Sequence, residues 1–281
     1  MTVTLLLSGV PGAMCREIAA LASSEAYRQD FTIAEAGLSS REDAGRRVEL
    51  APAVSVVCEP AERAGAVLSR GGLESPVVVD FSAPDAVAGN LAVYTKVGVP
   101  LVVGTTGYDR QRAAEMVRSS RSCAVLAPNM AAPVVAITAA LRWASERFPG
   151  VLQGHELHIV ESHQSSKRDI SGTARALLPA FQALGLSAQE DVIEPVRDSA
   201  RQRDLGVSGE HLGGHAWHWY RARSPEGAME LELSHRINGR RVYAEGALLA
   251  ARFVAAMAAR GAEGTVYSME DVLANPAAAP E

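Results

Sequence analysis

Short runs of continuous apolar residues alternate with stretches of helical period through the first half of the chain. Residues 3–8 form one run, Gly9-Val10-Pro11-Gly12 breaks it, and residues 13–22 carry a helical pattern. Residues 54–58 precede a helical 61–69, and Val77-Val78-Val79-Asp80-Phe81 precedes a helical 84–95. Two further runs lie at 99–103 and 123–127. Strands that are apolar on both faces, separated by amphipathic helices, predict a parallel sheet covered on both sides. This half is expected to be an α/β domain of the Rossmann type, the doubly wound dinucleotide-binding pattern.

The pattern changes after about residue 130. A long helix is predicted over 131–147, a strand over 157–162 and a helix over 172–184. Residues 191–209 are polar and poorly periodic and read as an extended loop. A strand at 215–220 leads to a turn at Ser224-Pro225-Glu226-Gly227, after which Met229, Leu231 and Leu233 alternate with Glu230, Glu232 and Ser234. Period two around such a turn predicts an antiparallel hairpin with one buried face. A last, alanine-rich helix is predicted over 244–259, and residues 275–281 read as a frayed tail. The expectation is an α/β domain over 1–130 and an α+β domain over 131–243.

Charge and composition narrow the function classes. The net charge is −5, which disfavours a broad basic face for nucleic acid or a membrane surface. No leader and no run of about eighteen apolar residues is read, so a cytoplasmic location is the expectation. Cys15, Cys58 and Cys123 have no metal-ligand spacing and suggest no disulfide framework; each is expected to be a buried small hydrophobe, and no metal site is read. Of 27 basic residues only Lys96 and Lys167 are lysine. Arginine does not release its proton at working pH, whereas lysine does so when its surroundings favour it. A lysine that persists in an arginine-rich chain is a pointer to proton chemistry, though chance survival also accounts for one.

Two glycine turns are candidate nucleotide contacts. Gly9, Gly12, Ala13 and Met14 stand where the first strand meets the first helix, where a close backbone approach and free helix N–H groups suit a pyrophosphate. On spacing alone a plain glycine turn is as good a reading; the position ahead of an alternating α/β pattern favours the nucleotide. Gly104-Thr105-Thr106-Gly107 follows another strand and would face the same crevice, or be an ordinary strand–helix loop. Ser39, Ser40 and Arg41 would either hold a 2′-phosphate or form a solvated loop.

Residues 159–174 carry the densest chemistry. A strand ends, Glu161, His163, Lys167, Arg168 and Asp169 follow, and a helix starts at Ser171-Gly172-Thr173. Ser171 is a good N-cap, and the N–H groups of Gly172 and Thr173 are expected to be open to an anion beside Lys167 and Arg168. The combination suits a carboxylate-bearing substrate that needs a proton; a capped surface helix behind a charged loop is the plainer alternative. His155 and His158 read as surface or strand residues, His211, His215 and His218 as residues without metal spacing, and His235 as a core residue. Trp217 and Trp219 are expected to pack the sheet or an oligomer face.

Several of these motifs occur together in one family. Gly9-x-x-Gly12-x-Met14, Val79-Asp80-Phe81-Ser82-x-Pro84, Gly104-Thr105-Thr106-Gly107, Ala127-Pro128-Asn129, Glu161-Ser162-His163-x-x-x-Lys167-x-Asp169-x-Ser171-Gly172-Thr173-Ala174 and Gly239-Arg240-x-x-Tyr243-Ala244-x-Gly246-Ala247 span nearly the whole chain. In these the sequence resembles 4-hydroxy-tetrahydrodipicolinate reductases (dihydrodipicolinate reductases) of lysine and diaminopimelate biosynthesis. Gln164 in place of a second His, Ile170 in place of Pro, and the C-terminal run resemble the plant-like branch.

The resemblance implies His163 and Lys167 at the protonation step, and Gln164, Ser171, Gly172 and Thr173 around a substrate carboxylate. It implies cofactor contacts from the glycine-turn residues named above and from Asp80, Phe81, Pro128, Asn129 and Arg240. It further implies NADPH or NADH as cofactor, a small cyclic dicarboxylate as substrate, and a homo-oligomer, dimer or tetramer. The second domain is expected to carry a mixed open sheet, with residues 244–281 returning to the first domain. Cys15 in place of a third glycine and Met130-Ala131-Ala132-Pro133 in place of a glycine-containing run depart from the family pattern. A paralogue acting on another cyclic imine or enamine acid, and a non-catalytic dinucleotide sensor, are the competing readings.

Overall fold

The computed structural model describes residues 2–69 and 73–275. Most of the expected tail, 276–281, lies outside the described residues. The chain forms two compact units, one made up to Ala132 and again from Arg241, the other from Pro133–Arg240.

The first unit runs β1 (Val3–Ser8), α1 (Ala13–Ala22), β2 (Phe31–Ile33), β3 (Ala36–Ser39), β4 (Arg47–Ala51), β5 (Val54–Pro60), α2 (Ala64–Leu68), β6 (Pro76–Asp80), α3 (Val87–Val97), β7 (Leu101–Val103), α4 (Arg110–Arg118) and β8 (Cys123–Leu126). The second holds α5 (Ala132–Arg147) from its second residue on, β9 (Glu156–His163), α6 (Gly172–Ala183), β10 (Ile193–Val196), α7 (Ser199–Asp204), β11 (His215–Arg223) and β12 (Glu230–Asn238). The first unit resumes with α8 (Arg241–Ala259), β13 (Thr265–Tyr267) and α9 (Met269–Leu273).

The larger sheet has the order β13-β8-β7-β6-β1-β3-β5-β4, with β2 also paired to β1. Its pairings are parallel except β4 with β5. β1 and β6 are buried along the core, as expected of strands covered on both faces. The order departs from β1 in both directions, to β3 on one side and β6 on the other. That switch point sets the loops after β1, β3, β6 and β7 at the carboxyl ends of the strands, where ligands of such sheets bind.

The smaller sheet has the order β10-β9-β11-β12. β10 runs parallel to β9, while β11 is antiparallel to both β9 and β12, so the sheet is mixed. One face packs on α6: Leu157, Ile159, Tyr220 and Ala222 meet Ala174, Leu177 and Phe181. Trp217 and Trp219 pack the other face with Val160, Val196 and Val207.

Two expectations are corrected, and one helix needs separate description. Residues 191–209 are not an extended loop: they contain β10 and α7. These elements are too short to show a period, and Pro195 masks an edge strand. The β11–β12 hairpin forms, but its expected apolar face is incompletely covered, with Met229 and Leu231 39% and 47% exposed. Finally, α8 has an 18-residue window of mean hydropathy 1.4, long and apolar enough by composition to cross a membrane. Its alanines and charged residues hide this from a search for continuous runs. In the fold 56% of that window is buried, as suits a core helix.

Candidate active site

Two groups of residues carry the chemistry, one in each unit. In the first, α1 begins at Gly12 with no side-chain cap and no acidic residue in its first turn. Its first N–H groups therefore stay available to an anion, and Gly12 and Ala13 are exposed. Gly9 has φ +99°, and a Cβ there would lie 2.5 Å from the Phe81 carbonyl oxygen. Gly104 faces the Phe81 ring, which a Cβ would approach to 2.3 Å. Both glycines are thus demanded by the packing of neighbouring loops, whatever the loops bind. Cys15 is fully buried, with its thiol 3.4 Å from the Ser8 carbonyl. It fills the helix–strand contact that a glycine would leave open, away from the exposed loop.

Asp80 is 1% exposed, so a direct contact between its carboxylate and a cofactor does not fit. Instead the carboxylate accepts hydrogen bonds from Ser8 Oγ, Asn90 Nδ2 and Tyr94 Oη, each at 3.1 Å, and from Ser82 N and Oγ at 2.9 and 2.6 Å. Thr105 Oγ1 donates to the Ser82 carbonyl at 3.0 Å. Asp80 therefore ties the β6 loop to β1, α3 and the β7 loop. Burial, with the Asp80 charge, holds the Tyr94 hydroxyl well above its usual pKa, so it remains a donor. Thr106 and Gly107 are exposed beside this knot, as are Ser40 and Arg41 after β3. Arg41 pairs with Glu62 at 2.6 Å. Pro128 is exposed, and Asn129 Oδ1 accepts the Ala131 N–H at 2.9 Å. Arg240 closes the second unit and is also exposed.

The second group centres on the end of β9. Glu161 is wholly buried; its Oε1 lies 2.5 Å from Arg197 Nη2 and its Oε2 accepts the Ser171 N–H at 2.8 Å. Arg197 also donates to the carbonyls of Lys167 at 2.8 Å and Asp169 at 3.0 Å. One buried carboxylate and one arginine thereby clamp the loop that bears Lys167 against the start of α6. Lys167 Nζ bonds Asp169 at 2.8 Å, and that bond is the main reason the Asp169 carboxyl sits below its usual range. His163 extends from the same strand, with Nε2 at 3.7 Å from Glu161 Oε2. Gln202 Nε2 donates to the His163 carbonyl at 2.6 Å.

Burial, followed by the charges of Arg197 and Lys167, lowers the His163 pKa from 6.5 to about 3. Its Nε2 lies 3.0 Å from His218 Nε2, and Ser162 Oγ lies 2.7 Å from His215 Nε2. Glu161, His163 and His218 offer ligand atoms within 4.8 Å of one another. A cation there would meet Arg197 on the same carboxylate and Lys167 beside it, so the set fits a hydrogen-bonded chain better.

The structure brings His163, Gln164, Lys167, Ser171, Gly172 and Thr173 into this one region. It changes the anion site in one respect. Ser171 Oγ caps the Thr173 N–H at 3.2 Å, so that donor is not open. Gly172, which is exposed, remains among the first-turn N–H groups that helix geometry does not partner. Arg197 and Gln202 escaped the sequence reading, and His215 and His218 were legible there only as residues without metal spacing. Asp198, an N-cap for α7, was the available signal for the first two. For His218, strand alternation with Ala216 and Tyr220 was the signal.

Comparison with known proteins gives the chain's family. Residues 3–130 match the N-terminal family model of dihydrodipicolinate reductase, and residues 134–273 its C-terminal model. A chloroplastic 4-hydroxy-tetrahydrodipicolinate reductase 2 of Arabidopsis thaliana is 40% identical over 274 residues, covering 96% of this chain and 77% of that protein. A 4-hydroxy-tetrahydrodipicolinate reductase of Myxococcus xanthus is 30% identical, covering 95% and 96%. Among solved structures, the dipicolinate-bound dihydrodipicolinate reductase of Paenisporosarcina sp. TG-14 shares the fold at 17% identity, TM-score 0.62, covering 95% of this chain and 98% of that one. With both family models matched in order along the same chain, the protein belongs to the dihydrodipicolinate reductase family.

Proposed function

We propose that the chain reduces 4-hydroxy-tetrahydrodipicolinate with NADPH or NADH, in lysine and diaminopimelate biosynthesis. One observation carries this reading: a buried Glu161–Arg197 pair fixes Lys167, His163 and the start of α6, with its exposed Gly172, in one place. A cation, a proton donor and an open N–H at a helix start are what an anionic ring acid under reduction requires.

When bound, a nicotinamide cofactor would supply the hydride. The uncapped start of α1, with Gly9, Gly12, Ala13 and Met14, fits its pyrophosphate, and Gly104 to Gly107 and Phe81 line the neighbouring loops. Ser39, Ser40 and Arg41 are proposed at the adenosine ribose, and Pro128, Asn129 and Arg240 as further cofactor contacts. Asp80 is proposed to act indirectly, by holding Ser82 and Thr105.

In the second unit, Gly172 and Lys167 hold a substrate carboxylate, with Ser171, Thr173 and Gln164 shaping its pocket. Lys167 and His163 deliver the proton beside the carbon that receives hydride. Positive charge there also lowers the energy of the developing anion.

We further infer a homo-oligomer in the cytoplasm. Ile137, Trp143, Phe148 and Val151 are exposed apolar side chains of the second unit, which supports a self-association face. The three cysteines are free and buried, which fits a reducing compartment. The test of function is NADPH oxidation with freshly prepared 4-hydroxy-tetrahydrodipicolinate. Substrate-dependent oxidation is expected; an inert mixture at high enzyme concentration would overturn the reading in favour of a paralogous substrate.

A further inference from the structure

Two loops meet at the carboxyl end of the first unit's sheet. The backbone N–H groups of Gly9 and Val10 both donate to the Leu38 carbonyl, at 3.0 and 3.1 Å, so the turn before α1 rests on the end of β3. A Cβ at Gly37 would lie 2.7 Å from Val10 Cγ2, so the turn packs directly on that strand. In doubly wound sheets a dinucleotide crosses this junction. Its pyrophosphate lies at the glycine turn and its adenosine ribose at the end of the next strand. An acidic residue there takes the ribose 2′-hydroxyl, whereas an arginine takes a 2′-phosphate. In this chain the strand runs out in Ser39 and Ser40, neither of them acidic, and Arg41 follows.

The arginines at this end differ in what holds them. Arg16 is tied to backbone, donating from Nε to the Pro11 carbonyl at 3.1 Å and from Nη1 to the Glu49 carbonyl at 2.7 Å. Arg46 pairs with Asp43 at 3.2 Å, and the same carboxylate accepts from Ser40 Oγ at 3.3 Å. Arg41 reaches instead to Glu62, 21 residues away in the turn after β5. Its Nε and Nη2 both donate to Glu62 Oε1, at 2.9 and 2.6 Å. β3 and β5 lie side by side with Ser39 opposite Pro60, which brings the two loops together. The Arg41 and Glu62 side chains are 81% and 52% exposed, so the pair is open to an incoming anion. A hydrogen bond to its own backbone N–H, and then Arg41, hold the Glu62 carboxyl below its usual range, so it is charged at neutral pH.

We propose that Glu62 sets the preference between NADPH and NADH by competing with the 2′-phosphate for Arg41. The proposal rests on the reading of Ser39, Ser40 and Arg41 as the ribose contacts. The guanidinium fork that grips a carboxylate suits a phosphate equally well. NADPH brings a 2′-phosphate with a charge of about −2, which takes the Arg41 donors over from Glu62. NADH has a hydroxyl at that position and leaves the Arg41–Glu62 pair closed. Opening the pair therefore weighs against NADPH alone. Without the Glu62 charge, Arg41 is free for the phosphate and the preference moves toward NADPH. An exposed ion pair favours its closed form by only about five-fold at most, so the exchange is easy and the shift in preference is of the same modest size. Glu62 acts through Arg41 and is a positioning residue for it.

The test titrates NADPH and NADH separately, by the fluorescence of the bound nicotinamide, at one fixed ionic strength. The proteins are the wild type, Glu62→Gln, Arg41→Met and the double variant. The readout is the Kd for NADH divided by the Kd for NADPH, a ratio from which general damage to the fold or to the shared part of the dinucleotide site cancels. Glu62→Gln is expected to raise the ratio about threefold, with NADH affinity within about twofold of wild type. Arg41→Met is expected to lower it about tenfold, the loss of charge-assisted bonds to the phosphate. The double variant is expected to match Arg41→Met, because Glu62 has no arginine left to hold. An unchanged or lowered ratio in Glu62→Gln overturns the proposal. A rise that persists in the double variant overturns it too, since Glu62 then acts on the phosphate without Arg41. If Arg41→Met leaves the ratio unchanged, the reading of Arg41 at the ribose falls and the proposal with it; if it lowers the ratio while Glu62→Gln does not raise it, only the competition falls.

Discussion

Replacing Arg197 with methionine removes the partner of a carboxylate that has no access to solvent. Glu161 is 0% exposed and Arg197 retains 19% side-chain exposure. A guanidinium and a carboxylate whose charge centres are about 4 Å apart attract by about 4 kcal/mol at an effective dielectric of about 20. Truncating one member of a buried pair typically costs about 3–5 kcal/mol, because the remaining charge is left uncompensated. The residual exposure of Arg197 screens part of this, so the expected loss is about 3 kcal/mol. Tryptophan fluorescence isolates the affected unit, since Trp143, Trp217 and Trp219 all lie within Pro133–Arg240 and the chain has no others. Urea unfolding read by this signal should give the loss directly. The double variant Glu161→Gln/Arg197→Met should be more stable than Arg197→Met alone, because no charge is then stranded. A loss under about 1 kcal/mol, or a double variant less stable than the single, would refute the reasoning.

Two further outcomes follow from the same structure. His163 and His235 are held by burial at about 3 and about 4, with His215 and His218 also lowered. The unfolded chain binds protons on these rings near the ordinary 6.5, and the folded chain does not, so stability is full above that value and falls as pH drops toward about 3. The urea midpoint of the tryptophan signal should therefore be lower at about pH 5 than at about pH 7.5, and an unchanged midpoint would contradict this. Gly104→Ala places a Cβ 2.3 Å from the Phe81 ring. The ring must move, with an expected cost of about 1–3 kcal/mol and weaker NADPH binding, measured by thermal unfolding and by nucleotide fluorescence; wild-type values for both would show that the loop contact is not restrictive.

Legibility in the sequence followed periodicity. β1 and β6 are long enough and apolar enough to declare a parallel sheet, and the turn at Ser224 to Gly227 declares the hairpin. The loop with Lys167 was legible because a strand end, clustered charge and an N-cap coincide within a few residues. What escaped was remote in sequence. Arg197 lies 36 residues beyond Glu161, in a segment whose strand and helix span four and six residues. No local pattern ties a polar stretch of that kind to a buried carboxylate; strand pairing of β10 with β9 does. The pairing of His218 escaped for a related reason, since its partner His163 sits on a different strand. Asp80 was legible as a motif residue, but only the fold shows that its oxygens are used internally.

The central claim is that Lys167 and His163 deliver the proton in a reduction of 4-hydroxy-tetrahydrodipicolinate. The most direct measurement is kcat for Lys167→Ala and His163→Gln, alongside the Kd for NADPH. A fall of about 100- to 10,000-fold in kcat with NADPH affinity unchanged is the predicted result. Turnover at the wild-type rate in either variant would contradict it.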